Sequence, residues 1–328
     1  MPVHDGEEYI REAINSVLGQ TFPDFELLII NDGSSDRSVE IIESFADQRI
    51  RLLHNTRNEG IEESLNRGIQ AAQGVYLVRM DYDDICVSTR LENLVDFMNG
   101  HPEIGICGSF IKTIGASVRT WSFPCEDREI RCRLLFESCI PHPSAIIRMS
   151  EIARHQLRYD TRHLRAEDYD FWVRCSEHMQ LANYPEVLLH YRIHEKQIGS
   201  LHLEAQQEAA DRVRERLLKS LGVSVTPESL SLHRAISTWR LGNNPELLRR
   251  VDDWLRTLLS ANCRTGIFPE PEFSRELASR LYRACYTSTG GSGAWKTWRE
   301  SPFSGHLMAS PIATLKLFLR CAFDHAAS

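Results

Sequence analysis

A chain of 328 residues, 42% apolar and 25% charged, is long enough for one large domain or two ordinary ones, and its composition excludes wholesale disorder. Its net charge of −7 speaks against a nucleic-acid partner, which wants a basic face. Nine cysteines without a Cys-x-x-Cys pair, no signal peptide and no apolar run of about 18 residues point to reduced thiols in a cytoplasmic protein that does not span a bilayer.

Met1-Pro2-Val3-His4-Asp5-Gly6 reads as the end of a strand. Tyr9, Ile10, Ala13, Ile14, Val17 and Leu18 then form the apolar stripe of a helix. Phe25 to Ile30 is a buried strand ending in Asn31-Asp32-Gly33-Ser34-Ser35-Asp36, and Asp36 can cap the helix that carries Val39, Ile42 and Phe45. Arg51 to His54 is a short strand, Ile61 to Ala72 a helix, and Gly74 its stop. Val75 to Met80 is apolar enough for a strand covered on both faces. This alternation predicts a parallel, doubly wound α/β sheet, which binds ligands at its strand carboxyl ends.

Three carboxylates, Asp81, Asp83 and Asp84, arrive where the Val75–Met80 strand ends. In extended backbone Asp81 and Asp83 share a face, and their repulsion is relieved by a hard divalent ion, Mg or Mn, bridging to a diphosphate. The plain alternative is a solvated acidic turn. Asp32 ends another strand and can accept from a uracil imide N–H or a ribose hydroxyl, or simply close an Asp-Gly turn.

Further along, Leu91, Leu94, Val95 and Met98 make a helix face, and Ile104 to Phe110 and Ile111 to Trp121 suggest two adjacent strands. Ile140-Pro141-His142-Pro143-Ser144 precedes another strand, and His142 between its two prolines suits a structural role as well as a contact with donor or acceptor. Phe171, Trp172, Cys175 and Met179 form a helical stripe, which puts Glu167 and Asp168 in the first turn, where acids are commonly helix-dipole partners. Val187 to His190 is a strand running into Tyr191-Arg192-Ile193-His194. Beyond residue 200 the chain turns to amphipathic helices: one striped by Ala205, Ala209, Val213 and Leu217, one opened by Thr226-Pro227, and one after Asn244-Pro245 with Leu248, Val251, Leu255 and Leu258. Thr287 to Gly293 reads as a flexible connector. Ile312, Leu315, Leu319 and Phe323 stripe the last helix, a face for packing or for a membrane surface.

Pro2-Val3-His4-Asp5-Gly6, Asn31 to Asp36 and Met80-Asp81-Tyr82-Asp83-Asp84 resemble three successive motifs of the family 2 glycosyltransferases, and Asn58-Glu59-Gly60 with Asn66-Arg67-Gly68 resembles the family's middle segment. The resemblance spans residues 1–200 and implies a GT-A fold there, followed by a helical region over 201–328. It implies inverting transfer of a sugar from a nucleotide-sugar, a UDP-sugar, to a hydroxyl of a glycan or lipid-linked acceptor. By the same resemblance Pro2, Val3, His4, Asp5, Asp32, Asn58, Asp81 and Arg192 hold the nucleotide-sugar. Asp83, with Asp81 and His194, takes the Mg or Mn; Asp168 is the general base; His142 and Glu167 touch acceptor or donor. The lipid-linked class of acceptor adds peripheral contact with the inner face of the membrane.

The pattern departs from the family at the amino terminus, where a full apolar strand is usual and only Met1 precedes Pro2. The expectation is a start that falls after that strand, or a shortened protein with an open sheet edge. The second case motivates a competing reading, a non-catalytic nucleotide-sugar binder or assembly protein of the same fold. A nucleotidyltransferase fits less well, since His4-Asp5-Gly6 stands where a Gly-rich basic loop belongs.

Overall fold

The structure, a computed structural model, describes residues 1–163, 165–194, 203–241, 245–288, 291–305 and 311–323. Leu164, Asn244 and positions 289 and 290 of the expected connector lie outside these residues. The chain divides into two units, Met1–Ile130 with Ser138–Ala209, and Arg131–Glu137 with Ala210–Ser328.

In the first unit β1 (Pro2–Val3), β2 (Leu27–Asn31) and β3 (Ile50–His54) form a parallel sheet, with Pro2 opposite Ile30 and Leu27 opposite Ile50. Helices α1 (Ile10–Leu18) and α2 (Ser38–Glu43) supply the crossovers that parallel strands require, and α3 (Ile61–Ala71) follows β3. The stripe of α1 buries Ile10, Ala13, Ile14 and Val17 in one cluster with Val3, Leu27 and Ile29. Asp36 accepts from the backbone N–H of Ser38 at 2.9 Å, the first residue of α2. The first strand is two residues long, and the amino group of Met1 donates to the Leu28 carbonyl at 2.9 Å.

The second sheet runs β4-β8-β6-β9-β5, from β4 (Tyr76–Val78), β5 (Ile85–Cys86), β6 (Ile104–Gly115), β8 (Ile146–Arg148) and β9 (Gln180–Ile193); β7 (Thr120–Trp121) pairs with β6. Only β6 and β9 are parallel here, and the other pairs are antiparallel. Helices α4 (Arg90–Gly100), α5 (Asp127–Leu134), α6 (Met149–His155) and α7 (Glu167–Ser176) connect these strands. The parallel order thus stops at β3, because an apolar run does not reveal which neighbour it pairs with. The expected two-sided cover of Val75–Met80 is not found: Val75 is 72% exposed and Tyr76, Leu77 and Val78 are half-buried.

Ile104–Phe110 and Ile111–Trp121 are not two strands split at residue 110. Bulges at Ser109–Phe110 and Phe110–Ile111 absorb the irregularity against β9, so β6 continues. The chain reverses at Gly115, where φ is +86° and a Cβ would lie 2.5 Å from the Ile193 carbonyl oxygen. Likewise β9 extends past His190 and takes Tyr191, Arg192 and Ile193 into the sheet.

The second unit is helical: residues 210–220 of α8 (Leu203–Ser220), then α9 (Pro227–Ser237), α10 (Pro245–Thr265), α11 (Glu272–Thr287), α12 (Gly291–Glu300) and α13 (Pro311–Phe323). Thr226 and Ser229 close a capping box at α9. Most of the expected connector is helical: α11 runs to Thr287 and α12 begins at Gly291. On α13 the buried residues are Leu317 and Cys321, while Leu315 and Leu319 are exposed; the side chains of Ile312 and Phe323 lie outside the description. Both spacings suit a helix, so sequence alone favoured the longer stripe. Among the described residues no helix is long and apolar enough to cross a membrane, and all nine cysteines are free thiols.

Candidate active site

Asp81, Asp83 and Asp84 follow β4, and each offers a carboxylate oxygen within 4.8 Å of the others. Each has a partner from the protein. Asp81 is ion-paired with Arg79. Asp83 Oδ2 lies 2.9 Å from His194 Nε2, and the Asp83 carbonyl accepts from Arg192 Nε at 2.8 Å. Asp84 Oδ1 accepts from the Arg192 backbone N–H at 2.9 Å, while its buried Oδ2 has no hydrogen-bond partner. Burial first, and then mutual repulsion with Asp81, push the Asp83 carboxyl up, with His194 opposing; Asp84 is pushed well up by burial, Asp81 and Asp83. A set of hard oxygen donors crowded enough to resist ionisation, with one oxygen orphaned, fits a divalent ion such as Mg or Mn.

Arg192 meets the acidic segment through both its backbone N–H and its Nε. Its backbone lies in β9, and its guanidinium reaches Glu12 at 2.6 Å and lies 4.7 Å from the Tyr9 ring centroid. Tyr9 also faces the His194 ring at 5.0 Å. Helix α1 thereby joins the site through two residues that the motifs did not single out.

Glu167 and Asp168 open α7, as the stripe of Phe171, Trp172 and Cys175 requires, and both are half-buried. Burial, then Asp168, push the Glu167 carboxyl up to about 8. Asp168 is also raised by burial but is opposed by the Tyr169 backbone N–H, by Ser138 and by Arg79. Ser138 Oγ donates to Asp168 Oδ2 at 3.2 Å. Burial thus raises both carboxyls, while the Ser138 hydroxyl and the Tyr169 N–H favour the ionised form of Asp168.

Arg79 joins the two acidic groups. Its guanidinium is buried, its Nε has no hydrogen bond, and its charge acts on Asp81 and Asp84 as well as on Glu167 and Asp168. A single arginine inside an apolar run was the signal in the sequence that went unread. His142 lies at this junction but is buried, with Nε2 2.9 Å from the Tyr159 hydroxyl and its ring edge-on to Trp172. Burial and Arg79 hold it well below the usual histidine range, and its ring braces Tyr159. Of the two roles open to it in the sequence, these contacts with Tyr159 and Trp172 are structural.

On the other side, Asp32 ends β2 and is buried. Its carboxylate accepts from Asn55 Nδ2 at 2.7 Å and from the backbone N–H groups of Glu59 at 2.8 Å and Gly60 at 3.0 Å. Three of about four acceptor positions are thus committed to the segment that carries Asn58. Gly33 makes that approach feasible: φ is +68°, and a Cβ would meet backbone atoms of Arg57 and Asn58 at 2.6 Å. Pro2 and Val3 are buried in β1; His4 Nδ1 lies 2.9 Å from the Asp32 carbonyl oxygen, and Asp5 accepts from Ser35 N–H at 2.7 Å. His4, Asp5 and Asn58 are exposed. Gly6 closes the gap to the acidic segment, since a Cβ there would lie 2.6 Å from the Tyr82 ring.

Residues 1–155 match the family model described as Glycosyl transferase family 2. An uncharacterized glycosyltransferase of Haemophilus influenzae is 33% identical over 239 residues, spanning 68% of this chain and 74% of that protein. The O-antigen biosynthesis glycosyltransferase WbnJ of Escherichia coli is 29% identical over 226 residues, 67% of this chain and 88% of its own. Among solved structures, S. aureus TarS in complex with UDP-GlcNAc superposes with a TM-score of 0.59 at 17% identity, covering 86% of this chain and 85% of that one. The mannosyltransferase PcManGT from Pyrobaculum calidifontis, in complex with GDP-Man and Mn2+, gives 0.54 at 14% identity over 96% and 85%. The fold is the GT-A arrangement of these neighbours, with strand-end aspartates and helix-start acids on one unit, and the chain belongs to glycosyltransferase family 2.

Proposed function

We propose that the protein is an inverting, metal-dependent transferase that moves a sugar from a UDP-sugar to a hydroxyl of a glycan or lipid-linked acceptor. The observation that carries this reading is the Asp81-Asp83-Asp84 set, with carboxylate oxygens within 4.8 Å of one another and Asp81 paired to the buried Arg79, together with the Glu167-Asp168 pair that opens α7. One group of acids suits a cation and a diphosphate; the other suits a proton acceptor. The nucleotide-sugars bound by TarS and PcManGT, and the Mn2+ with the latter, support the donor class and the ion.

Asp83, with Asp81, Asp84 and His194 beside it, would hold the Mg or Mn, which when bound neutralises charge on the departing diphosphate. The residues of the chain do the rest. Asp168 takes the proton from the acceptor hydroxyl as that oxygen attacks the anomeric carbon opposite the nucleotide. Protonated Glu167 beside it keeps a second negative charge away from the leaving group. Val3, His4, Asp5 and Asn58 line the nucleoside side, and Asp32 both props the Asn58 segment and keeps one acceptor position for the base. The domain reading, a transferase unit over 1–200 and a helical region over 201–328, belongs to the same proposal.

The test is nucleotide release from a panel of UDP- and dTDP-sugars with Mn2+, with Mg2+ and with chelator. Release from a UDP-sugar that needs the divalent ion supports the reading. Binding of UDP without release from any donor favours a non-catalytic binder, and indifference to chelator removes the metal.

A further inference from the structure

Trp121 of β7 lies opposite Ile111 of β6 in antiparallel register. Ile111 pairs with Leu189 of β9, and Thr113 with Tyr191. Residues directly opposite each other share a sheet face, and so do residues two apart on one strand. Trp121, Ile111, Leu189 and Tyr191 therefore look to the same side. On that side Ile111 and Leu189 are core, in one cluster with Val3 and Met80, and Tyr191 and Phe123 pack against it.

Trp121 stands at the rim of this face. Its ring centroid lies 6.1 Å from that of Tyr191, with the planes tilted by 37°. Tyr191 in turn feels the acidic set: burial and then Asp81, Asp84 and Asp83 push its phenol upward. Its neighbour Arg192 donates its backbone N–H to Asp84 Oδ1 at 2.9 Å, so the end of β9 links the strand-end aspartates to Tyr191 and the indole. Among the described Phe, Tyr and Trp residues of the first unit, Trp121 is the one left exposed, at 42%.

We propose that the open face of Trp121 is the platform for the acceptor's sugar, taking the C–H face of the pyranose ring that carries the attacking hydroxyl. The proposal rests on the transferase reading above and adds the acceptor's chemical class and its seat. An indole is flat and rigid, with two side-chain torsions to fix, so it offers contact area at small entropic cost. Its electron-rich face attracts the polarised C–H bonds of a sugar, whose hydroxyls stay at the ring edge in water. The donor's diphosphate belongs with the aspartates, which meet Arg192, and the indole meets Tyr191 next to it in β9. The sugar that rests on Trp121 is therefore the acceptor's.

The probes are the methyl glycosides of glucose, galactose and N-acetylglucosamine. Their binding to the full chain with UDP and Mg2+ is followed by saturation-transfer NMR, beside glycoside-stimulated UDP release. The wild type binds at least one glycoside; Trp121→Ala weakens it by about tenfold or more, and Trp121→Tyr recovers most of the loss. UDP affinity and the thermal midpoint stay unchanged in both variants. Equal binding by wild type and Trp121→Ala overturns the proposal, as does a wild type that binds none of the glycosides. Parallel loss of UDP affinity overturns it too, by making Trp121 part of the donor site. A wild type that binds a glycoside through Trp121 yet releases no nucleotide leaves the platform standing and fails the transferase reading instead.

Discussion

Nε2 of His194 lies 2.9 Å from Oδ2 of Asp83, a residue 111 positions earlier in the chain. The contact exists because β9 runs antiparallel to β5, with Ile85 opposite His190, so the end of β9 returns to the acidic segment. Asp83→Ala should reduce metal-dependent turnover to background. The thermal midpoint should hold or rise, because burial already opposes ionisation of that carboxyl. His194→Ala should weaken metal binding by about 10–100-fold, the range for loss of a group that orients a ligand. Titration of Mn2+ into the two variants, beside differential scanning fluorimetry, checks both outcomes; wild-type metal affinity in Asp83→Ala would remove that residue from the metal site.

The Glu167 carboxyl, pushed up to about 8 by burial and by Asp168, gives a signed pH dependence. Between its ordinary range and about pH 8 the folded protein keeps a proton that the unfolded chain has released, so this group lowers stability as pH rises through that window. Metal-free Glu167→Gln should therefore melt higher than wild type near pH 8 and equally near pH 4, about the ordinary value of a glutamate. Turnover of the wild type should fall above about pH 8, as an ionised Glu167 joins Asp168 beside the leaving diphosphate. The same decline in the Gln variant would mean another group controls it.

Gly33 supports the proposed nucleoside side by its backbone alone. With φ at +68° and a Cβ position 2.6 Å from Arg57 and Asn58 backbone, Gly33→Ala must push the Asn58 segment away from Asp32. The expected cost is about 1–3 kcal/mol of stability, read by urea unfolding, with weaker UDP binding in the same variant. Unchanged UDP affinity would place the nucleoside elsewhere.

The strand-end acids were legible in the sequence because a polar cluster after an apolar run is a local signal. Asp168 was legible through the helical stripe of Phe171 and Trp172, which fixes where α7 begins. Pairing was not: that β4 joins β8, and that Tyr191 and Arg192 continue β9, depend on contacts between distant residues. Arg79 is one charge in an apolar strand, and a buried arginine needs an acid nearby, which Asp81 supplies. Asp32 looked like a free acceptor, yet most of its capacity goes to the Glu59-Gly60 turn, which no local pattern encodes. On α13, Leu315 and Leu317 suit helical spacing equally, and only packing chose Leu317.

In the proposed mechanism Asp168 separates catalysis from binding. Its carboxylate meets Ser138 and the α7 amino terminus, and Asn keeps the shape and the capping ability without accepting a proton. The decisive measurement is UDP release from the active donor by Asp168→Asn, paired with calorimetric titration of UDP and Mn2+ into the same protein. The account predicts release lower by about two to four orders of magnitude, the scale of a general base, with nucleotide affinity intact. Release at the wild-type rate would contradict it.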